Sequence, residues 1–459
     1  MSLIKSISGI RGTIGGRVGE NLTPIDIVKF TTAFASFLQK RVPEKKMKMI
    51  IGRDARVSGA MVSRLVIGTL QSMGIDVIDT GLSTTPTVEM AVILHKADGG
   101  VILTASHNPM EWNALKLLND KGEFISGEEA LTLLQMVEDE NFLYADIQNT
   151  GSYIEYLNSI DDHIETILCL PLVDVDTIRS ANFNVIVDVV NSTGAISIPP
   201  LLSRLGVNSV TVLNGEVNGL FAHNPEPLPE HLFQISEEMK KGRYDVGLVV
   251  DPDVDRLAII MENGEMFGEE YTLISVADYV LQHQKGAAVS NLSSTRALED
   301  LCKKHEVEVY KSAVGEVNVV EMMKAKNAVI GGEGNGGVIY PELHYGRDAL
   351  AGIALFLTYL AKSGMSCSQL RSQYCHYYMV KDKIKLESGI DTQHILSQVK
   401  EKYKDYNPNT IDGVKIDFLD SWVHLRASNT EPVIRIYAEA STMEQAKILT
   451  ENIKNDIIN

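Results

Sequence analysis

The chain is poor in the residues that mark several classes of protein. It has 4 cysteines in 459 residues, at Cys169, Cys302, Cys367 and Cys375. They form no CxxC pair and no metal-ligand spacing, and so few in so long a chain do not build a disulfide framework; they read as reduced thiols. Long apolar runs are missing. None approaches the roughly 18 residues of a membrane-spanning helix, so no membrane association is expected. Met1-Ser2-Leu3-Ile4-Lys5 opens no extended apolar region, so no signal peptide is expected and the cytoplasm is the default location. Positive charge is scarce: 42 Lys and Arg against 60 Asp and Glu leave a net −18, which offers nucleic acid little to bind. A polyanionic small molecule would need locally placed cations to offset that field. Low-complexity tracts are absent.

What remains is ordinary globular material, with 44% apolar and 22% charged residues. At about 100–200 residues per domain the length suggests about three or four domains. Short apolar runs alternate with longer amphipathic stretches through the first three-quarters, which favours α/β architecture. Five runs read as strands that end in polar or glycine-rich loops. Met47–Ile51 precedes Gly52-Arg53-Asp54, and Gly100–Leu103 precedes Thr104-Ala105-Ser106-His107-Asn108-Pro109. Val185–Val190 precedes Asn191-Ser192-Thr193-Gly194, Val246–Val250 precedes Asp251-Pro252-Asp253, and Val329-Ile330 precedes Gly331-Gly332-Glu333. Ligands gather at the carboxyl ends of strands in such sheets. A strand–helix–strand pattern from Met49 to Asp79 recurs from Val185 to Leu213, and more loosely from Ala288 to Tyr310, which suggests related α/β domains. The last part, about 85 residues, mixes strand-like Lys381–Leu386 and Val433–Ala438 with helical Met443–Ile457 and reads as a small α+β domain.

Four loops carry candidate chemistry. Ser106, just past a buried strand, is placed as a nucleophile that needs activation, with His107 and Lys116 close in sequence; a Ser-His pair in a polar turn is by itself more often structural. Asp251, Asp253 and Asp255, followed by Arg256, can converge from a tight turn on one hard cation such as Mg²⁺, or form a solvated acidic turn. Gly331-Gly332-Glu333-Gly334-Asn335-Gly336-Gly337 allows close backbone approach to a ligand, with Glu333 and Asn335 able to bond sugar hydroxyls. It does not fit a dinucleotide fingerprint. Arg426-Ala427-Ser428-Asn429-Thr430-Glu431-Pro432, with Arg435 beyond, supplies what a phosphate monoester needs, the alternative being a surface salt bridge.

Taken together and in this order, the loops resemble the α-D-phosphohexomutase superfamily over essentially the whole chain. The resemblance implies three related α/β domains with mixed sheets and a smaller α+β domain around a central cleft, with boundaries expected at 1–150, 151–262, 263–372 and 373–459. It implies that Ser106 is carried as phosphoserine, and that Asp251, Asp253 and Asp255 bind Mg²⁺ together with a phosphate oxygen on Ser106. Arg11, in Ser8-Gly9-Ile10-Arg11-Gly12, would lie near the reacting phosphate, with Lys116 and His107 assisting charge and proton movement. Arg256, Gly315, Glu333 and Asn335 would meet the sugar phosphate; Arg426, Ser428, Asn429, Thr430 and Arg435 would hold the phosphate that is not reacting. The implied reaction moves a phosphoryl group between the two ends of a hexose phosphate through a 1,6-bisphosphate, which also serves as activator, and closure of the last domain would exclude water. The protein would act as a monomer or homodimer.

Thr430-Glu431-Pro432 looks like the phosphoglucosamine mutase form of the phosphate loop, and Val314-Gly315-Glu316 leans the same way. The sugar loop departs from many bacterial members, which have Ser where Asn335 stands and His where Gly337 stands; it looks closer to archaeal-type members. Glucosamine phosphate is therefore the expected substrate, with phosphoglucomutase/phosphomannomutase activity as the alternative. Two readings from other classes remain open at this point: a phosphatase with Asp251 as nucleophile, and a non-catalytic sugar-phosphate binding protein.

Overall fold

In the computed structural model, which describes all residues except 1, 7–8, 43–44, 386–390, 428–432 and 459, each of the three sequence repeats folds as two parallel strands joined by a helix. The chain forms two units, Met1–Val280 with Asn335–Arg371, and Leu281–Gly334 with Ser372–Asn459.

The first unit holds two sheets. One contains β1 (Ile4–Ser6), β2 (Gly9–Thr13), β3 (Lys48–Arg53), β4 (Asp76–Leu82), β5 (Gly99–Leu103), β6 (Trp112–Leu118) and β7 (Tyr153–Glu155), in the order β1-β2-β6-β5-β3-β4-β7. β3 runs parallel to β4 and β5, and β6 returns antiparallel to β5. The other contains β8 (Asn184–Asp188), β9 (Ser209–Leu213), β10 (Val246–Val250) and β11 (Leu257–Met261), in the order β11-β10-β8-β9. Its pattern is the same: β8 is parallel to β9 and β10, and β11 is antiparallel to β10. The strand expected over Val185–Val190 stops at Asp188, because Val190 and Asn191 take left-handed backbone at φ 46° and 55°.

β5, β10 and β11 are buried along their whole length, so they read as continuous apolar runs without the alternation of a half-exposed strand. Met49, Ile51, Val66, Val101 and Leu103 join one core, each such side chain contributing about 1.5–3 kcal/mol by its burial. Capping sets the helix ends. Thr84 accepts the N–H of Thr87 and starts Thr85–Leu94, with Pro86 in the first turn. Asp348 accepts from the N–H groups of Leu350 and Ala351 and starts Ala349–Ser363, which Gly364 ends at φ 63°.

In the second unit β12 (Ala288–Asn291) is parallel to β13 (Val309–Ser312) and β14 (Ile330–Glu333). β15 (Gly337–Ile339) follows in the chain and belongs to the first unit. The carboxyl-terminal sheet has β16 (Tyr378–Lys385), β17 (Val414–Asp417), β18 (Ser421–Ala427) and β19 (Val433–Ala440), antiparallel in the order β16-β19-β18-β17. The helix Met443–Ile458 packs on β16 and β19. This is the α+β domain expected from the sequence.

In each repeat the chemistry-bearing loop follows the third strand: β5 leads to Ser106, β10 to Asp251, and β14 to Asn335.

Candidate active site

Ser106 sits at φ 49°, in left-handed backbone that costs about 1–3 kcal/mol unless its surroundings hold it. The surroundings do. Its N–H donates to Thr104 Oγ1 (2.9 Å), whose hydroxyl donates to Asp54 Oδ2 (2.6 Å). Arg56, fully buried, donates from Nε to the same Asp54 oxygen (3.0 Å). Its two terminal nitrogens donate to the carbonyls of Pro109, Trp112, Ser106 and Asn108. One guanidinium thus staples the whole turn after β5.

The Ser106 hydroxyl donates to Asp251 Oδ2 at 2.8 Å. Asp251 Oδ1 accepts from the N–H groups of Asp255 and Arg256 at 3.2 Å each, which closes the turn, and Val254 supplies its left-handed residue at φ 62°. Lys116, projecting from β6, places Nζ 2.7 Å from Asp253 Oδ2 and 3.4 Å from Asp255 Oδ2. Thr85, on the helix that Thr84 caps, donates to Asp253 Oδ2 (2.6 Å), and Arg347 donates to Asp255 Oδ2 (2.7 Å). Arg256 lies 3.8 Å from Asp255 and 4.0 Å from Asp251.

The three aspartates are fully buried, and one carboxylate oxygen of each lies within 4.8 Å of the others. Asp253 Oδ1 and Asp255 Oδ1 are buried with no hydrogen-bond partner. Buried carboxylate oxygens left without donors are rare, and converging hard oxygens are the donor set of a divalent cation such as Mg²⁺; the triad fits one. Burial, with Asp255 and Asp253 beside it, pushes Asp251 well above the usual carboxylate range. Burial acts the same way on Asp253, but the Lys116 ammonium and its hydrogen bond, with that of Thr85, outweigh it and hold Asp253 below that range. Burial would lower Lys116; Asp253 and Asp255 outweigh it and raise it. The Arg256 charge, then burial, keeps His107 well below an ordinary histidine, because both disfavour a positive charge on its ring. His107 Nδ1 lies 3.4 Å from the Ser106 hydroxyl oxygen.

Arg11 on β2 faces Ala114 on β6. Period-2 alternation puts it on the sheet face that carries Lys116, and its charge also lowers His107. Asn335 uses its side-chain oxygen to accept the Gly337 N–H (3.2 Å), and the next carbonyl, of Gly336, accepts from Leu257 N–H (3.0 Å). The first unit therefore assembles Ser106, His107, Arg11, Lys116, the three aspartates and Arg256, with the Asn335 turn against the start of β11.

The second unit assembles the rest. The Gly315 N–H (3.1 Å) and the Asn291 amide (2.9 Å) donate to Glu333 Oε1. The Asp412 carboxylate accepts from the Val314 N–H (2.9 Å) and pairs with Arg426 Nε (2.7 Å), which ties the Val314-Gly315 turn to the end of β18. Arg426 and Arg435 are register partners on β18 and β19. Like charges directly opposite are unfavourable, and an anion held by both removes the repulsion. Ser428, Asn429 and Thr430 lie outside the described residues.

Sequence reasoning passed over Arg56, Thr85, Arg347 and Asp412. Arg56 follows the recognised Gly52-Arg53-Asp54 turn and could have been found there, as an arginine two residues after a buried aspartate. The others carry no local pattern; they act across 92 or more positions of chain.

Buried carboxylates converging beside a serine, on repeated α/β domains followed by an α+β domain, define a phosphoryl-transfer enzyme of the phosphosugar mutase class. Family models described as phosphoglucomutase/phosphomannomutase match in succession: α/β/α domain I over residues 4–143, domain II over 155–264, domain III over 268–378 and the C-terminal domain over 381–455. The chain belongs to the phosphoglucomutase/phosphomannomutase family of the α-D-phosphohexomutase superfamily, whose members are isomerases. It is 37% identical over 442 residues to a phosphoglucomutase/phosphomannomutase of Thermococcus kodakarensis, covering 95% of each chain. It is 33% identical to a phosphoglucosamine/phosphogalactosamine mutase of Sulfurisphaera tokodaii, covering 100% of this chain and 98% of that one. A crystal structure of a putative phosphomannomutase from Thermus thermophilus has the same fold, with a TM-score of 0.83 at 24% identity and complete coverage of both chains. Among the described residues no helix is long and apolar enough to cross a membrane.

Proposed function

We propose that the protein interconverts glucosamine 6-phosphate and glucosamine 1-phosphate through phospho-Ser106. The observation that carries this reading is the Ser106 hydroxyl bonded at 2.8 Å to a carboxylate of a buried acidic triad. Phospho-Ser106 donates its phosphoryl group to the free hydroxyl of the sugar phosphate. The P–O bond to Ser106 breaks as the new P–O bond forms, giving the 1,6-bisphosphate, and the other phosphate then returns to Ser106. The attacking hydroxyl gives up its proton as the new bond forms, with Lys116 and His107, whose Nδ1 lies 3.4 Å from the Ser106 oxygen, assisting charge and proton movement. Lys116, Arg11 and Arg256 offset charge on the transferring group. Asp251, Asp253 and Asp255, with an oxygen on Ser106, would hold Mg²⁺, which when bound would supply charge neutralisation of the phosphoryl oxygens.

Glu333, Gly315 and Asn335 meet the sugar. Arg426 and Arg435, with Ser428, Asn429 and Thr430, hold the phosphate that is not reacting. That group has to accept phosphate from either end of the bisphosphate, which suits two arginines recognising the phosphate itself. The domains divide at 1–150, 151–262, 263–372 and 373–459, and the enzyme works in the cytoplasm as a monomer or homodimer. The Sulfurisphaera relative, named for amino sugars, favours glucosamine phosphate. The Thermococcus relative, named for glucose and mannose phosphates, favours the broader hexose mutase.

The test is turnover of the phosphorylated protein with Mg²⁺ and a trace of sugar 1,6-bisphosphate. The substrates are glucosamine, glucose and mannose 6-phosphates, compared by kcat/KM. A lead for the amino sugar supports the proposal and a lead for the neutral sugars replaces it with the alternative. Ser106→Ala should abolish turnover while leaving phosphosugar binding in place; phosphate trapped on Asp251 instead would install the phosphatase.

A further inference from the structure

We infer that Arg347 is a positioning residue of the phosphoryl-transfer site, and that position 337 is glycine in order to admit it. Arg347 is buried (7% exposed) and its terminal nitrogen donates to Asp255 Oδ2 at 2.7 Å. A Cβ built on Gly337 would lie 2.3 Å from Arg347 Cδ and 3.0 Å from its Cγ. The backbone of Gly337 is not left-handed, so the glycine is required by the space that the arginine stem occupies and not by a turn. The collision falls mid-stem, between a fixed backbone and an anchored guanidinium, so the side chain cannot yield without releasing Asp255.

The backbone of Arg347 is fixed from both sides. Asp348 N–H donates to the Val338 carbonyl (2.9 Å), and Ala349 N–H to the carbonyl of Val254 (3.2 Å), inside the aspartate turn itself. Asp348 caps the following helix and sits between His163 (3.0 Å) and His344 (3.3 Å). Arg347 therefore projects from a rigid platform toward one carboxylate. It occupies Asp255 Oδ2 jointly with Lys116, which leaves Oδ1 without a hydrogen bond, 3.8 Å from Arg256 Nε. Its charge also acts on His107. Arg347 thus orients Asp255 and adds a preorganised cation to the aspartate cluster that Ser106 bonds through Asp251. Both effects belong to the transition state more than to sugar binding.

The inference rests on the mutase reading, and its test separates the two. Arg347→Ala, Arg347→Lys, Gly337→Ala and the Arg347→Ala/Gly337→Ala double variant are made in the full chain. Thermal melting is measured for all, with no substrate present. Gly337→Ala should lower Tm in the unsubstituted chain and leave it unchanged or raised in the Arg347→Ala chain, where the stem is gone; equal losses in both backgrounds would overturn the pairing. In turnover, Arg347→Ala should lower kcat about 100-fold with the sugar-phosphate KM changed by less than about threefold. Arg347→Lys should recover part of kcat, and Gly337→Ala should add no loss to Arg347→Ala. An Arg347→Ala enzyme within twofold of the unsubstituted kcat would refute the positioning role. Absence of mutase turnover in the unsubstituted chain would instead remove the functional reading, and the melting cycle would still decide the Gly337–Arg347 pairing.

Discussion

Replacing Arg56 by lysine isolates what its guanidinium contributes beyond charge. Arg56 makes five hydrogen bonds, to Asp54 and to the carbonyls of Pro109, Trp112, Ser106 and Asn108. An ammonium has three donors on a single atom, so at least two acceptors in a buried turn lose their partner. A hydrogen bond to a charged group contributes about 1.5–3 kcal/mol, so Arg56→Lys should cost about 3–6 kcal/mol. That is survivable in a domain of about 5–15 kcal/mol, and the charge opposite Asp54 is kept, which avoids the stranded buried carboxylate of an alanine variant. The carbonyl of Ser106 is among the acceptors, so the strained turn relaxes and the hydroxyl leaves Asp251. A displacement of about 1 Å costs about 100-fold in rate. The assay pairs a urea midpoint with kcat and with the phosphoserine content of Ser106. A variant that melts early but turns over normally would show that Arg56 only stabilises. One that keeps both midpoint and kcat would refute the staple altogether.

Lys116→Met should destabilise by about 3–5 kcal/mol, because it leaves Asp253 and Asp255 with less compensation in a buried site; chemical denaturation reads this. Chelation should abolish turnover and Mg²⁺ should restore it, while Ca²⁺, which prefers longer bonds of about 2.3–2.6 Å, should restore much less; a chelated enzyme at full activity would exclude the metal. His344 titrates in a separate buried cluster. Burial would lower it, but hydrogen bonds with Asp348 and Glu89 outweigh this and raise it to about 10. Against an ordinary histidine near about 6.5, the stability it contributes is complete below about pH 6.5 and is lost as pH rises towards about 10, up to about 5 kcal/mol. Tm should fall over that range, and His344→Asn should flatten the fall; an equally steep fall in the variant would mean another group is responsible.

The sequence was legible where chemistry and periodicity coincide. Buried strands such as Val246–Val250 announce themselves as unbroken apolar runs, and the loops they feed must be polar because they meet ligand or water. The serine turn, the aspartates and Glu333 therefore stood out as candidates from local pattern, and the family resemblance supplied their expected roles. The strand after Phe183 was read two residues too long because Val189 and Val190 remain apolar after the chain has turned; burial continues where the ladder ends, and composition cannot separate the two. Arg347 and Asp412 were invisible for a different reason. Arg347 reaches Asp255 from 92 positions away and Asp412 reaches the Val314 N–H from 98, although Asp412 also pairs with Arg426 nearby in the chain. What the sequence withholds is the set of contacts that make a recognised loop rigid.

Those contacts also explain how a chain of net charge −18 handles a doubly phosphorylated sugar. Three cations of the first unit are already engaged by the aspartates. Lys116 is committed to Asp253 and Asp255, Arg347 to Asp255, and Arg256 lies beside Asp251 and Asp255. These three cations balance the three carboxylates, Arg11 adds a fourth positive charge to the site, and burial with Asp255 and Asp253 raises Asp251 well above the usual carboxylate range. A phosphoryl group on Ser106 adds about −1.5 to −2 and removes the hydroxyl proton that Asp251 accepts. A divalent cation held by the aspartates would add neutralisation where that charge appears, alongside Lys116, Arg11 and Arg256. Phosphate and cation are each poorly accommodated alone and well accommodated together, so their affinities are linked and reciprocal. In the second unit Arg426 is likewise held by Asp412 beside Arg435, so an anion is favoured there only where it can engage both arginines. Where its cations are already paired with carboxylates, such a site selects phosphate by geometry more than by a spare positive field.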